Sequence, residues 1–239
     1  MPFFLGRNPH DPERLARGLM AAPAPMPYLP LLDRSAIDPQ PSTWDNDQTP
    51  DCTTAGLANS LTAQGVILSA PPIIAANKPL SLYATIKGMP GATEQQLAAT
   101  DGAVMMDVLD YVETNGFDVG GQVPMVPVQR FVIHNAREAI AGVMCDKKTT
   151  VGYLGIRLYA RDMDVIGQGP WTAKIADSGD LVGGHCLLSW DYAKGLSDND
   201  LLSLLTWGIK QPASWAWLME RLDESHGLEW PQLALAAIA

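Results

Sequence analysis

A chain of 239 residues with 18% charged and 47% hydrophobic side chains is long enough to bury a core without staples, and its composition excludes a disordered protein. A formal net charge of −10 and a pI near 4.7 exclude nucleic acid as a partner class, because affinity for a phosphate backbone comes mainly from Lys and Arg releasing counterions. No apolar run reaches the roughly 18–20 residues of a membrane span, and the first residues lack the basic start, apolar stretch and cleavage site of a secretion signal.

About half of the 19 prolines lie in the first 50 residues. Residues 1–42 therefore read as an extended arm, since the stretch from Ala21 to Ser42 sustains neither a helix nor a central strand. Its apolar side chains (Phe3, Phe4, Met20, Met26, Tyr28, Leu29, Leu31, Leu32) are numerous for a free linker. They favour an arm that lies along the domain or a partner, against the alternative of a floppy tail.

From Cys52 the run CTTAGLANSLTAQG has helical spacing, with Gly65 placed as its C-terminal cap. After a Pro-rich connection, Asp101 is positioned to cap DGAVMMDVLDYVETNG, whose Val104, Met105, Val108, Leu109 and Val112 form one apolar stripe ending at Gly116. NAREAIAG reads as a short helix. TTVGYLGIRLY, HCLLSWDY and LLSLLTWGI read as strands, the last two linked by a turn-rich segment. Helices come early and strands late, which predicts the segregated α+β class with a domain over residues 43–225. The end, residues 226–239, reads as an apolar tail carrying Trp230, Leu233, Leu235 and Ile238.

Three cysteines, Cys52, Cys145 and Cys186, have spacings that suit neither a disulfide framework nor a paired zinc motif. A cysteine at a helix start gains thiolate character from the helix dipole, which makes Cys52 a candidate nucleophile. Taken alone, such a cysteine is more often a small buried hydrophobe. Asn46 and Gln48 supply amides upstream that could hold an oxyanion together with the Cys52 backbone N–H, whereas Asp51 opposes thiolate formation unless it points to solvent. His185, after two glycines at a strand start, suits a general base. His10, His134 and His226 combine with a cysteine less well. Strand alternation turns Cys186 to the face opposite His185 and makes it a core residue; zinc held by Cys52, His185 and Cys186 is the weaker alternative.

Read in order, these motifs resemble the papain-like cysteine peptidases. Trp44 and the polar run Asn46–Cys52 look like the segment leading to that family's nucleophile; PLSLY, DGAVMMDVLDYVETNGFDV, NAREAIAG with TTVGYLGIRLYARDM, GGHCLLSWDY and LLTWGIKQPASWAW follow in the family's order, over about residues 44–222. A closer likeness is to uncharacterised phage-borne and bacterial papain-like proteins with an Asn-Asp-x-x-x-Asp-Cys start and a Thr-Trp-Gly motif, here Asn46 to Cys52 and Thr206 to Gly208. The resemblance implies a papain-like fold with a helical half packed on an antiparallel β half, and a phage or prophage source. It also implies a site in which Cys52 attacks an amide carbonyl, His185 carries the proton, Gln48 or Asn46 holds the oxyanion and Trp207 covers the histidine.

Two positions depart from the family pattern. The family's oxyanion glutamine stands six residues before the cysteine, where this chain has Asn46, with Gln48 four before. The asparagine that orients the histidine should stand two residues before Trp207, where this chain has Leu205; Thr206, Gln211 and Asp191 are the candidate substitutes. The implied activity is acyl transfer through a Cys thioester on a peptide or peptidoglycan-stem amide, without metal or organic cofactor, with a transglutaminase-like outcome using the same parts. The other reading is a catalytically silent papain-fold structural or adaptor subunit, such as one of a virion, making subunit contacts through its arm and tail. A cytoplasmic or virion-associated location follows from these readings.

Overall fold

The computed structural model describes residues 5–20, 26–120, 124–125, 129–133, 135–147 and 149–236. Phe3, Phe4, His134 and Ile238, and the side chains of Met20 and Leu235, lie outside the described residues. In chain order the elements are α1 (Pro12–Met20), α2 (Cys52–Ile67), α3 (Lys78–Ile86), α4 (Glu94–Ala98), α5 (Met105–Asn115), β1 (Gln129–Val132), α6 (Arg137–Cys145), β2 (Gly152–Tyr159), α7 (Ala160–Asp164), β3 (Leu181–Asp191), β4 (Leu201–Thr206), β5 (Ile209–Ser214), α8 (Trp215–Arg221), β6 (Leu222–Glu229) and α9 (Pro231–Ala236). The strands form one antiparallel sheet in the order β1-β6-β2-β3-β4-β5. The class is α+β, as the segregation of helix and strand signals predicts.

The sheet separates two cores, and side-chain alternation decides which residue joins which. Tyr153, Cys186, Leu188, Trp190 and Leu205 face α2, α3 and α5. Leu154, Ile156, Leu158, Leu187, Leu202 and Leu204 face the other way, towards α6, α8 and the tryptophans Trp171, Trp215 and Trp217. Every residue of α2 from Cys52 to Gly65 is buried, so this helix of small and apolar residues is enclosed rather than amphipathic.

Several local expectations need correction. The first 42 residues are not extended throughout, because Pro12–Met20 is a helix with proline at its start, where no N–H is needed. Helix α2 runs past Gly65 to Ile67; a Cβ at Gly65 would lie 2.7 Å from Pro71 Cα, so that glycine serves a close backbone approach and not a cap. Asp101 does not cap α5, whose N-cap is Val104, and instead pairs with Lys87 at 2.5 Å. Gly116, at φ 77°, does end α5.

The arm and the tail belong to the domain. Arg34 is buried and donates to the carbonyls of Met144 (2.6 Å), Thr150 (2.8 Å) and Trp190 (2.8 Å), while Leu32 exchanges backbone hydrogen bonds with Tyr192. A tail beginning at residue 226 would cut β6, the strand between β1 and β2, and Trp230 and Leu233 are core residues. Packing back onto the domain gives these apolar segments the burial that their composition requires.

Candidate active site

Cys52 is the first residue of α2, and His185 lies within β3, next to the strand residue that packs on α2. Cys186 points at that helix, since a Cβ on Gly56 would lie 2.9 Å from its sulfur, and the backbone N–H of Cys186 is a favourable partner of the Cys52 thiol. Cys186 is core, on the face opposite the imidazole, as strand alternation predicts.

His185 is fixed from two sides. Its Nε2 lies 2.6 Å from Thr206 Oγ1. Its ring stacks on Trp207 with centroids 3.9 Å apart and 14° between the planes. Among the three substitutes considered for the missing asparagine, Thr206 is the residue at the ring. Alternation explains why: Leu205 turns to the core beside Leu188 and Trp190, while Thr206 shares the face of His185. Gln211 instead accepts from Gly167 N and donates to Gly169 O, holding a distant loop. Trp207 reaches the ring because it sits in the two-residue turn between β4 and β5, where Trp207 (φ 41°) and Gly208 (φ 75°) both take positive φ, as a type I′ hairpin requires. Positive φ on a bulky residue is unfavourable, and such strain concentrates at functional positions.

The Nδ1 atom of His185 is buried without a hydrogen-bond partner. Desolvation, followed by the charge of Arg7, lowers the imidazole pKa from 6.5 to about 3. Desolvation likewise pushes the Cys52 thiol up to about 12, against the backbone amides of Gly6 and Cys186 that favour the thiolate. Both groups are neutral at physiological pH in this state. Asp51 does not point to solvent: its carboxyl is fully buried, and burial raises its pKa well above the usual carboxylate range. Neither of its oxygens meets a donor in hydrogen-bond geometry; Thr49 and Asn46 are near enough only to moderate the shift.

Of the two amides upstream, Asn46 is buried and its Nδ2 donates to Thr49 O at 3.1 Å, while Gln48 is exposed on the same turn. Among the described residues no hydrogen bond joins either amide to Cys52 or His185. His10 and His226 lie elsewhere, His226 being buried against Glu224 at 3.3 Å. No group of three or more His, Cys, Asp or Glu side chains among the described residues is arranged to hold a metal ion.

What covers the site is a strand the residue pattern did not reveal. Leu5 to Asn8 runs between β3 and the segment before α5: Arg7 N donates to Gly184 O (3.1 Å), Asn8 N to Ala103 O (2.8 Å) and Ala103 N to Gly6 O (2.7 Å). The strand is antiparallel to β3 at Gly184 and parallel to the chain at Ala103. Gly6 passes so close to the turn before α2 that a Cβ there would lie 1.7 Å from Pro50 O. Under this strand Cys52 and His185 are each only 1% exposed. The one available signal was the glycines, Gly102 and the Gly183–Gly184 pair, which allow a second backbone to come close.

No protein-family model and no curated protein matches this sequence. Solved structures do. Xylellain, a cysteine protease from Xylella fastidiosa, superposes with a TM-score of 0.65 over 95% of this chain and 96% of its own, at 12% identity. ProCathepsin B from Trypanosoma congolense gives 0.58 over 95% and 82%, at 13% identity. Digestive procathepsin L 3 of Tenebrio molitor gives 0.57 over 95% and 75%, at 9% identity. The chain has the fold of the papain-like cysteine proteases.

Proposed function

We propose that this protein is a papain-like cysteine peptidase, held here in a closed form with its N-terminal strand across the cleft. The observation that carries the reading is the held imidazole, His185 with Thr206 on Nε2, Trp207 on its face and a free Nδ1, in a fold whose enclosed helix opens at Cys52. A thiol needs a base, and a base needs an orienting group. Thr206 and Trp207 supply the orientation and leave Nδ1 as the atom to receive the proton.

In this reading, withdrawal of Leu5–Asn8 hydrates the site and removes the desolvation that keeps Cys52 and His185 neutral. The proton passes from Cys52 to His185 Nδ1, and the thiolate attacks a peptide carbonyl. The tetrahedral oxyanion is held by the Cys52 backbone N–H and an amide from the 46–48 turn, where Gln48 is exposed and Asn46 is already engaged with Thr49. The imidazolium returns its proton to the leaving amine, and water then releases the acyl group from the thioester. A peptide or protein substrate suits a site that accepts a main chain on both sides. The neutral pair is what burial alone produces; a phage or virion role belongs to the resemblance and has no support in the geometry.

The test is proteolysis by the full chain carrying Gly6→Ala, whose added methyl meets Pro50 O and displaces the strand. This variant is expected to cleave an unfolded protein such as reduced casein. Cys52→Ala and His185→Ala, each placed in that background, are expected to abolish cleavage. Absence of cleavage, or cleavage that survives either substitution, would overturn the reading.

A further inference from the structure

Asn59 stands seven residues after Cys52 in α2, two turns on and therefore on the same face of the helix. It is 5% exposed, and its carboxamide closes on one short piece of chain. Oδ1 accepts from Ser42 N (2.9 Å) and from Trp44 Nε1 (2.9 Å), and Nδ2 donates to Ser42 O (2.8 Å). Those two nitrogens only donate and the carbonyl only accepts, so a single orientation of the amide satisfies all three.

What this clamp holds is strained. Trp44 (φ 51°) and Asp45 (φ 71°) are consecutive non-glycine residues in the left-handed region, which L side chains keep only where their surroundings impose it. They reverse the chain into the turn that carries the two candidate oxyanion amides. That turn is wound on one acceptor: the Asp45 carbonyl takes Gln48 N (2.8 Å), Thr49 N (2.9 Å) and Thr49 Oγ1 (3.0 Å), while Asn46 N donates to Thr43 O (3.0 Å). The direction in which the chain leaves Trp44 thus decides where Asn46 and Gln48 stand. Thr43 also abuts the turn that lays Trp207 on His185, since a Cβ on Gly208 would lie 3.5 Å from Thr43 N.

We propose that Asn59 is a positioning residue: it ties the 42–45 segment to the helix that opens at Cys52, so that the oxyanion amide of the 46–48 turn keeps its place relative to the sulfur. The inference deepens the peptidase reading and rests on it. Peptide cleavage needs the tetrahedral oxyanion to be held. Alkylation by iodoacetamide does not, because the sulfur displaces iodide at a saturated carbon and no oxyanion forms. Loss of the clamp therefore slows the first reaction and spares the second, whereas a general loosening of the fold disturbs both.

The parent for the test is the full chain carrying Gly6→Ala, with fluorescein-labelled casein as substrate. Asn59→Leu keeps the bulk and removes all three hydrogen bonds; Asn59→Asp keeps the acceptor for Ser42 N and Trp44 Nε1 but turns a second oxygen towards Ser42 O. Both are expected to lower kcat about a hundredfold, the cost of one lost oxyanion donor, with KM and the rate of Cys52 alkylation within about twofold of the parent. Trp44→Phe, which deletes only the indole N–H, is expected to lower kcat about fivefold with the same split, and it decides the matter should the variants at position 59 fail to fold. Unchanged kcat, or cleavage and alkylation that fall together, would overturn the role of Asn59 and leave the peptidase reading standing. A parent that does not cleave overturns that reading, and this role with it.

Discussion

Thr206 Oγ1 stands 2.6 Å from His185 Nε2, in the role that the resemblance assigns to an asparagine one residue earlier. With Nδ1 free to receive the proton, Nε2 carries its hydrogen in both the neutral and the charged ring, and the hydroxyl oxygen accepts it in each. Thr206→Val keeps the shape and removes the partner. In the Gly6→Ala background it is expected to lower the rate of Cys52 alkylation or peptide cleavage by about tenfold or more, whereas Thr206→Ser should retain most of it. Equal rates for Val and Ser would remove Thr206 from the site.

The arm should protect Cys52 selectively. Cys145 is half-buried beside Tyr192, while Cys52 and Cys186 are buried. Brief iodoacetamide treatment of the native protein, followed by mass mapping, is expected to label Cys145 first and leave the other two unmodified. Gly6→Ala should expose Cys52, raising its labelling at least tenfold, and leave Cys186 protected because it faces Gly56 and Tyr153 inside the core. Simultaneous labelling of Cys52 and Cys186 would indicate global unfolding instead of strand displacement.

Burial of His185 has a consequence for acid stability. Its pKa falls from 6.5 to about 3 on folding, so below pH 6.5 the unfolded chain binds a proton that the folded chain refuses. Stability from this group is full above pH 6.5 and is lost as pH drops towards 3, at about 1.4 kcal/mol per unit. Between pH 6.5 and 5 the wild type should lose about 2 kcal/mol more than His185→Gln, compared by urea unfolding. Parallel pH dependences would show that the ring is solvated.

Arg34 ties the arm to the domain through three carbonyls, at Met144 in α6, Thr150 before β2 and Trp190 in β3, and lies over the Trp190 ring. Arg34→Met preserves bulk and strands those acceptors, each costing about 1–3 kcal/mol when buried unpaired. A loss of at least about 3 kcal/mol in denaturant unfolding is expected. A change below about 1 kcal/mol would mean that the arm docks without supporting the fold.

The sequence disclosed whatever rests on periodicity. The apolar stripe of Val108, Leu109 and Val112, the alternation that sends Cys186 inward, and the helix opening at Cys52 were all legible because each is a local pattern with one geometric solution. What stayed hidden depends on distant chain segments meeting. Nothing local marks Arg7 as the partner of Glu224, 217 residues away, or separates Thr206 from Gln211 and Asp191 as the neighbour of His185. The proline content of the arm signalled the lack of continuous helix correctly, but proline at position 12 begins a helix rather than preventing one.

The most direct test of the central claim is the pH dependence of Cys52 alkylation in the full chain carrying Gly6→Ala, with and without His185→Ala. A sulfur paired with the imidazole should react with an inflection well below the free-thiol value of about 8.5, and His185→Ala should move that inflection up to it. The same inflection in both proteins would contradict the pairing of Cys52 with His185.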